Sequence, residues 1–290
     1  MSAPHLSGRP ATGPGLTNPR AERVLAVRAL AGRSARRRSG RYLVEGPQAV
    51  REAVTCAPRL VREVYLSDEA ADRYPEIEST ALVAGLPVRR GTVQVLAAMS
   101  GDAQGVVAVA VPDDRDLAGV LAAAPRLVAV LAHVRDPGNA GTVLRAADAA
   151  GADAVLLSDA SVDVLAPKVV RAAAGSSFHL PVVPGLRLAE TVAALRAAGL
   201  TVLAADGRGT LDLDDLLDGA VELGGGRRVD LAAPTAWLFG NEAWGLDEDA
   251  LAGADAAVRV PIHGRAESLN LATAAAVCLY ASARAQRRTR

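Results

Sequence analysis

Three short runs of the 290-residue chain carry the side chains whose types and spacing could do chemistry. The first is VRDPGNAGTVLRAADAAG, residues 134–151, where Asn139 and Gly141 follow an Asp-Pro-Gly turn and Arg145 stands six residues beyond Asn139. Asn139 occupies the place of a helix N-cap at the end of a strand. Arg145 has Val143, Leu144, Ala146 and Ala147 as its chain neighbours. A guanidinium among apolar residues is expected near the core, with an anionic or carbonyl partner. The second run is LFGNEAWGL, residues 238–246. Gly240 there lets backbone approach a ligand and Gly245 permits a turn. Glu242 between them could bind a cationic group, orient an arginine or cap a loop. The third run is VPIHGRAESLNL, residues 260–271, with Ser268 as the expected cap of a long apolar helix. Free N–H groups at such a helix start attract an anion. Taken one at a time, each run is explained as well by a capped turn or a capped buried helix without a ligand.

The elements that must position these runs alternate between strand and helix. RLVAVLAHV reads as a strand before the Asn139 turn, followed by a helix over 139–150, the strand AVLLS, and a helix around 165–172. A strand near 179–183, a helix over 188–198 and the strand LTVLAA come next. Such alternation predicts a mainly parallel sheet with helices on both faces, its loops gathered at one sheet edge where α/β proteins build small-molecule sites. The acidic, then glycine-rich region 207–233 reads as a surface excursion. Upstream, YLVEG, Val61–Ser67 and the β-branched run VVAVAV read as strands of a smaller α/β domain. The proline-bounded segment 112–125 reads as the linker, and the Pro-, Gly- and Ser-rich residues 1–19 as a disordered tail.

Composition narrows the function classes. Half the residues are apolar, enough for sizeable cores, and the formal net charge is zero. Charge is unevenly placed: eight arginines and the single acid Glu22 lie between Arg20 and Arg41. That run is either a solvated face or a grip on a polyanion. The two cysteines, Cys56 and Cys278, have no metal-ligand spacing, so no metal is expected and a reduced, cytoplasmic protein is. No apolar stretch is long enough to span a membrane and no signal peptide is evident. The turn DPGNAG has neither Rossmann nor Walker spacing, which argues against an unrelated nucleotide-binding enzyme.

Together the runs resemble the SpoU family of RNA ribose 2′-O-methyltransferases, of the SPOUT class. The family's motifs appear in order as Asn139-Ala140-Gly141…Arg145, Gly240-Asn241-Glu242…Gly245, and Val260-Pro261-Ile262…Ser268-Leu269-Asn270. YLVEGPQAVREAV and GDAQGVVAVAV are similar to the family's substrate-binding domain, which has a ribosomal-protein-like fold. The resemblance implies an α/β chain with an RNA substrate-binding domain over 20–111, a linker over 112–125, and a trefoil-knotted SPOUT methyltransferase domain over 126–290. It implies S-adenosylmethionine as cofactor, contacted at Leu238, Gly240, Val260, Ile262 and Leu269, and an active site formed across a homodimer. Arg145 becomes the catalytic residue, positioning the substrate phosphate and the 2′-oxygen. Asn139 orients the substrate or Arg145, Glu242 holds Arg145 in place, and Ser268 and Asn270 shape the pocket; His263 is a spectator. With aromatic residues only 3% of the chain, stacking on rings is a poor main grip on RNA, and phosphate contacts from Arg36, Arg37, Arg38 and Arg41 suit better. The two-domain layout favours ribosomal RNA over transfer RNA as substrate. A transfer-RNA methyltransferase and a non-catalytic RNA-binding or assembly protein on the same scaffold are the alternatives.

Overall fold

The computed structural model describes residues 15–223 and 227–288. The chain forms two compact units: Met1–Pro112 with Leu165–Pro167, and Asp113–Val164 with Lys168–Arg290.

In the first unit, α1 (Glu22–Ala29) and α2 (Arg33–Ser39) precede β1 (Tyr42–Glu45), α3 (Pro47–Cys56) and β2 (Val61–Ser67). Helices α4 (Asp68–Arg73) and α5 (Pro75–Val83), strand β3 (Val88–Gly91), helix α6 (Val93–Met99) and strand β4 (Val106–Ala110) complete it. The sheet order is β1-β4-β2-β3, with β4 antiparallel to both neighbours and β2 parallel to β3. All five residues of β4 are buried, as a run of β-branched and alanine residues with no polar face requires. Strand β3 and helix α6 were not legible beforehand: VRRG is too short to show alternation, and α6 is announced only by Thr92, whose hydroxyl accepts from Val95 N. Of the tail expected over 1–19, residues 1–14 lie outside the described residues. Its end is not loose, because β3 is an edge strand with free backbone groups. Leu16 N donates to Arg90 O at 2.8 Å and Thr92 N donates to Leu16 O at 3.0 Å.

The second unit begins with α7 (Leu117–Ala122), β5 (Leu127–Leu131), α8 (Pro137–Ala150), β6 (Ala154–Ser158), α9 (Pro167–Ala173) and β7 (Val182–Leu186). It continues with α10 (Leu188–Ala197), β8 (Thr201–Ala205), β9 (Leu211–Asp212), α11 (Leu213–Asp218), β10 (Val221–Leu223) and β11 (Arg227–Val229). The last elements are β12 (Thr235–Phe239), α12 (Glu248–Gly253), β13 (Ala256–Arg259) and α13 (Leu271–Arg288). Among the described residues, seven strands in the order β7-β6-β5-β12-β8-β13-β9 form one parallel sheet. Its central strands are buried over their whole length, which explains their continuous apolar runs. Because all strands point the same way, the loops after β5, β8, β12 and β13 emerge at one edge.

Two boundaries differ from expectation. Within 112–125, α7 is a helix of the second unit: Asp116 caps it, accepting from Gly119 N at 2.8 Å, and Val120 is buried in the sheet's core. A short Leu-Ala-Gly-Val-Leu-Ala run can bury one stripe without looking periodic. Likewise, 207–233 is no mere excursion, since β9 pairs with β13 and Leu213 and Leu216 of α11 are buried.

Candidate active site

The turn after β5 is built by Asp136, not by Asn139. Asp136 Oδ1 accepts from Asn139 N at 2.7 Å, and Pro137 takes the first helical position, where a missing N–H is harmless. Asn139 therefore stands inside the first turn of α8 with its side-chain amide free for other work. The same substitution of roles occurs at α13. Asn270 Oδ1 accepts from Ala272 N at 2.9 Å and Thr273 N at 3.4 Å, so Asn270 caps the helix and Ser268 lies in the irregular segment before it.

These amides connect the three runs. Asn139 Nδ2 donates to Glu242 Oε1 at 3.2 Å, and Asn139 Oδ1 accepts from Asn270 Nδ2 at 3.0 Å. Glu242 also accepts from the backbone, through Oε1 from Asp136 N at 3.1 Å and through Oε2 from Arg135 N at 3.3 Å. The carboxylate thus clamps the 135–139 turn, and contrary to expectation it does not hold Arg145. One residue earlier in the loop, Asn241 Nδ2 donates to His133 O at 2.7 Å. His133 is in a left-handed conformation (φ 57), held there by that bond and by its own N–H donating to Ser158 Oγ at 2.9 Å. Asn241 stands in the quoted motif without a role of its own, and nothing in the sequence singles out His133 or reports its positive φ.

A cavity of about 730 Å³ lies at this sheet edge, lined from all four loops. Asn139 comes from after β5, Asp206 from after β8, Gly240 and Glu242 from after β12, and Val260, Ile262, Ser268, Leu269 and Asn270 from after β13. A β-carbon on Gly240 would run into the backbone of Gly245 and Leu246, so this position admits only glycine. Gly141 has a comparable duty away from the cavity, where a β-carbon would come within 2.5 Å of Ala172 Cβ on α9. Arg208 hydrogen-bonds Asp206 and holds its carboxyl below the usual range, so it stays ionised at the cavity wall. Glu242 and Glu267 add carboxylates, while the guanidinium of Arg259 is engaged by Asp212 at 3.0 Å.

Three expected site residues stand elsewhere: Leu238, Arg145 and Arg36. Leu238 is fully buried in the core beneath the loop and does not line the cavity. Arg145 is exposed, without a hydrogen-bonding or ionic partner among the described residues. The buried stripe of α8 is Ala140, Val143, Leu144 and Ala147, and 145 falls outside that i, i+3, i+4, i+7 pattern. Periodicity, in place of chain adjacency, would have found this. His263 is a surface residue with an 81% exposed side chain, 3.6 Å from Asp214. In the first unit, Arg37, Arg38 and Arg41 are exposed, but Arg36 is buried. Its Nη1 donates to Leu30 O at 3.0 Å and Ala31 O at 2.7 Å, tying down the end of α1, so it is not offered to RNA.

The apolar terminal helix α13 is buried along one side. Ala272, Ala275, Cys278 and Leu279 are buried, and burial pushes the Cys278 thiol up to about 12. Thr273, Val277, Tyr280 and Arg284, spaced as one stripe, are exposed in the single chain.

A family model described as the SpoU rRNA Methylase family matches residues 126–280, and one described as RNA 2′-O ribose methyltransferase substrate binding matches 43–115. The chain is 33% identical over 245 residues to the 23S rRNA (guanosine(2553)-2′-O)-methyltransferase RlmP of Bacillus subtilis, covering 84% of this chain and 89% of that protein. It is 30% identical over 262 residues to the 23S rRNA (uridine(2479)-2′-O)-methyltransferase of Streptomyces viridochromogenes, covering 88% and 86%. The AdoMet-bound rRNA methyltransferase structure from Sinorhizobium meliloti superimposes with a TM-score of 0.77 at 27% identity, covering 93% of this chain and 97% of that one. With both of its units matched and its motif loops closed on one cavity, the chain belongs to the SpoU RNA methyltransferase family.

Proposed function

We propose that the protein transfers a methyl group from S-adenosylmethionine to a ribose 2′-hydroxyl of 23S ribosomal RNA. The observation that carries this reading is the Glu242–Asn139–Asn270 relay, which joins residues more than a hundred positions apart at the rim of one cavity. The relatives named above methylate 23S rRNA at a 2′-oxygen, by their names, and the Sinorhizobium protein binds the cofactor.

The cavity suits that cofactor. Its size lies within the ordinary range for small-ligand sites, and Asp206, Glu242 and Glu267 give it a negative field that favours a sulfonium and an ammonium. Gly240 and the backbone of Val260 and Ile262 would hold it, with Leu269 at the rim and Leu238 supporting from beneath. When bound, the cofactor supplies an electrophilic methyl carbon on sulfur. The protein's part is to bring the 2′-oxygen in line with it and to stabilise the charge that develops as the hydroxyl proton leaves. Arg145 does this with its planar fork, which can grip a flanking phosphate and the oxygen together. Asn139, Glu242 and Asn270 set the cavity wall, and Ser268 closes the loop before α13.

Arg145 acts in a homodimer. It lies about 9 Å along α8 and about 120° around it from Asn139, and so serves the cavity of a second copy. Two adjoining exposed stripes support this: Thr142, Arg145 and Ala149 on α8, and Thr273, Val277, Tyr280 and Arg284 on α13. Tyr280 bridges them, its hydroxyl donating to Ala149 O at 3.3 Å. In the first unit, Arg37, Arg38 and Arg41 contact RNA phosphates. No described helix is long and apolar enough to cross a membrane, and the place of action is the cytoplasm, where ribosomal RNA is found. Ribose-methylation mapping of total RNA, from cells with and without the gene, tests the reading. One 23S rRNA position should lose its methyl group; an unchanged map would overturn the assignment, and a loss in transfer RNA would redirect it.

A further inference from the structure

One large aromatic side chain stands at the rim of the candidate active site. Trp244 is 51% exposed, whereas the other tryptophan, Trp237, is fully buried and donates Nε1–H to Ser282 Oγ at 2.9 Å. Trp244 lies between Glu242 and Gly245, both of which line the cavity. Its exposure is not the result of a slack loop. Asn241 and Gly245 exchange two backbone hydrogen bonds of 2.9 Å, Asn241 Oδ1 accepts from Ala243 N at 2.8 Å, and Gly245 takes a φ of 75 that suits glycine. A fixed loop that presents an indole to water forgoes the gain of burying it and keeps a broad flat ring available, the kind of side chain enriched at interfaces.

The indole is also half prepared for a partner. Arg135 Cζ lies 5.0 Å from the ring centroid, a cation–π arrangement. The main chain of Arg135 is tied to the Trp244 loop, since its backbone N–H donates to Glu242 Oε2 at 3.3 Å. Its guanidinium has no carboxylate partner among the described residues. A flat ring beside a flat, unpaired cation, mounted on the cavity rim, is what an unpaired nucleobase requires for stacking.

We propose that Trp244 and Arg135 form a stacking platform for an unpaired nucleobase of the RNA, next to the ribose that is methylated. This rests on the function proposed above and adds a positioning residue to it. Every base has a π-face, so the platform fixes geometry with little choice of base. Paired bases have no free face, so the substrate must present an unpaired nucleotide at this rim.

Two measurements test the platform in the full-length protein. In methyl transfer to 23S rRNA, Trp244→Ala should lower kcat/KM by about tenfold, the scale of one base–aromatic stack. Trp244→Phe should retain most of the activity, and cofactor affinity by calorimetry should be unchanged in both. The second is the emission of Trp244, taken as the difference between wild type and Trp244→Phe. It should be quenched by a single-stranded oligoadenylate and not by a blunt RNA duplex. Wild-type kcat/KM in Trp244→Ala, or Trp244 emission indifferent to saturating oligoadenylate, would overturn the proposal. So would a loss of cofactor affinity equal to the loss of transfer, which would make the residue structural. Should wild type itself leave 23S rRNA unmethylated, the function proposed above falls, and the emission titration alone decides the platform.

Discussion

The two regions the sequence marked out, the basic helix α2 and the motif cavity, use their polar side chains in opposite ways. On α2, Arg37 and Arg38 are exposed singly, and only Arg36 is tied to the fold. In the cavity, Asn139 hydrogen-bonds both Glu242 and Asn270, so each position depends on loops far away in the chain. Side chains that meet only water or a partner should act additively. Side chains in one network should not.

The largest expected effect lies at Arg145, which belongs to neither pattern: it is exposed like α2 yet sits in a motif. Arg145→Ala should reduce methyl transfer about a hundred- to a thousandfold, as for removal of a charge-stabilising donor. Arg145→Lys should fall nearly as far, because it keeps the charge and loses the fork. Cofactor affinity should persist in both, measured by calorimetry beside single-turnover transfer. Near wild-type transfer in Arg145→Ala would place Arg145 with the solvated arginines.

Next comes Gly240→Ala. Its β-carbon meets backbone, which cannot rotate aside, so an overpacking cost of about 1–3 kcal/mol is expected. If that cost falls on the cavity, cofactor affinity drops by about tenfold to a hundredfold. Affinity equal to wild type would show that the loop yields.

The comparison is sharpened by a double-mutant cycle between Asn139→Ala and Glu242→Gln. Residues in one network couple by about 0.5–3 kcal/mol, so the pair should lose less transition-state stabilisation than the two single losses summed. The matching cycle of Arg37→Ala with Arg38→Ala, read as RNA affinity, should show no coupling. Additivity in the first cycle would mean that the relay seen between the motifs has no energetic weight.

The smallest effects separate Arg36 from its neighbours. Replacing Arg37 or Arg38 by Ala should reduce the log–log salt slope of RNA binding by about 0.7 to 0.9 per lost phosphate contact. Arg36→Ala should leave that slope unchanged and cost about 1–3 kcal/mol in denaturant unfolding, the scale for hydrogen bonds made by a charged group. A stable Arg36→Ala with a flattened slope would return Arg36 to the RNA-facing set.

The sequence by itself determined the motifs and the strongly apolar strands, because both are written in near-neighbour chemistry, but not short elements such as β3, α6 and β9. Apolar runs such as LVAVL and TAWLF become central strands, and glycine and proline mark the turns at 137–138 and 240–245. What it could not settle was which of several competent residues takes each role. Asp136 and Asn139 can both cap a helix, as can Ser268 and Asn270; Asp136 capped α8 and left the Asn139 amide free, while Asn270 capped α13 through Oδ1 and kept its Nδ2 for Asn139. Glu242 had several plausible partners, and only the parallel sheet brought it to the 135–139 turn, a hundred residues upstream. Arg36 and Arg37 are identical in type and adjacent in the chain. Only the packing of α2 decided that one closes α1 and the other faces water, because burial is fixed by the neighbours a folded chain supplies.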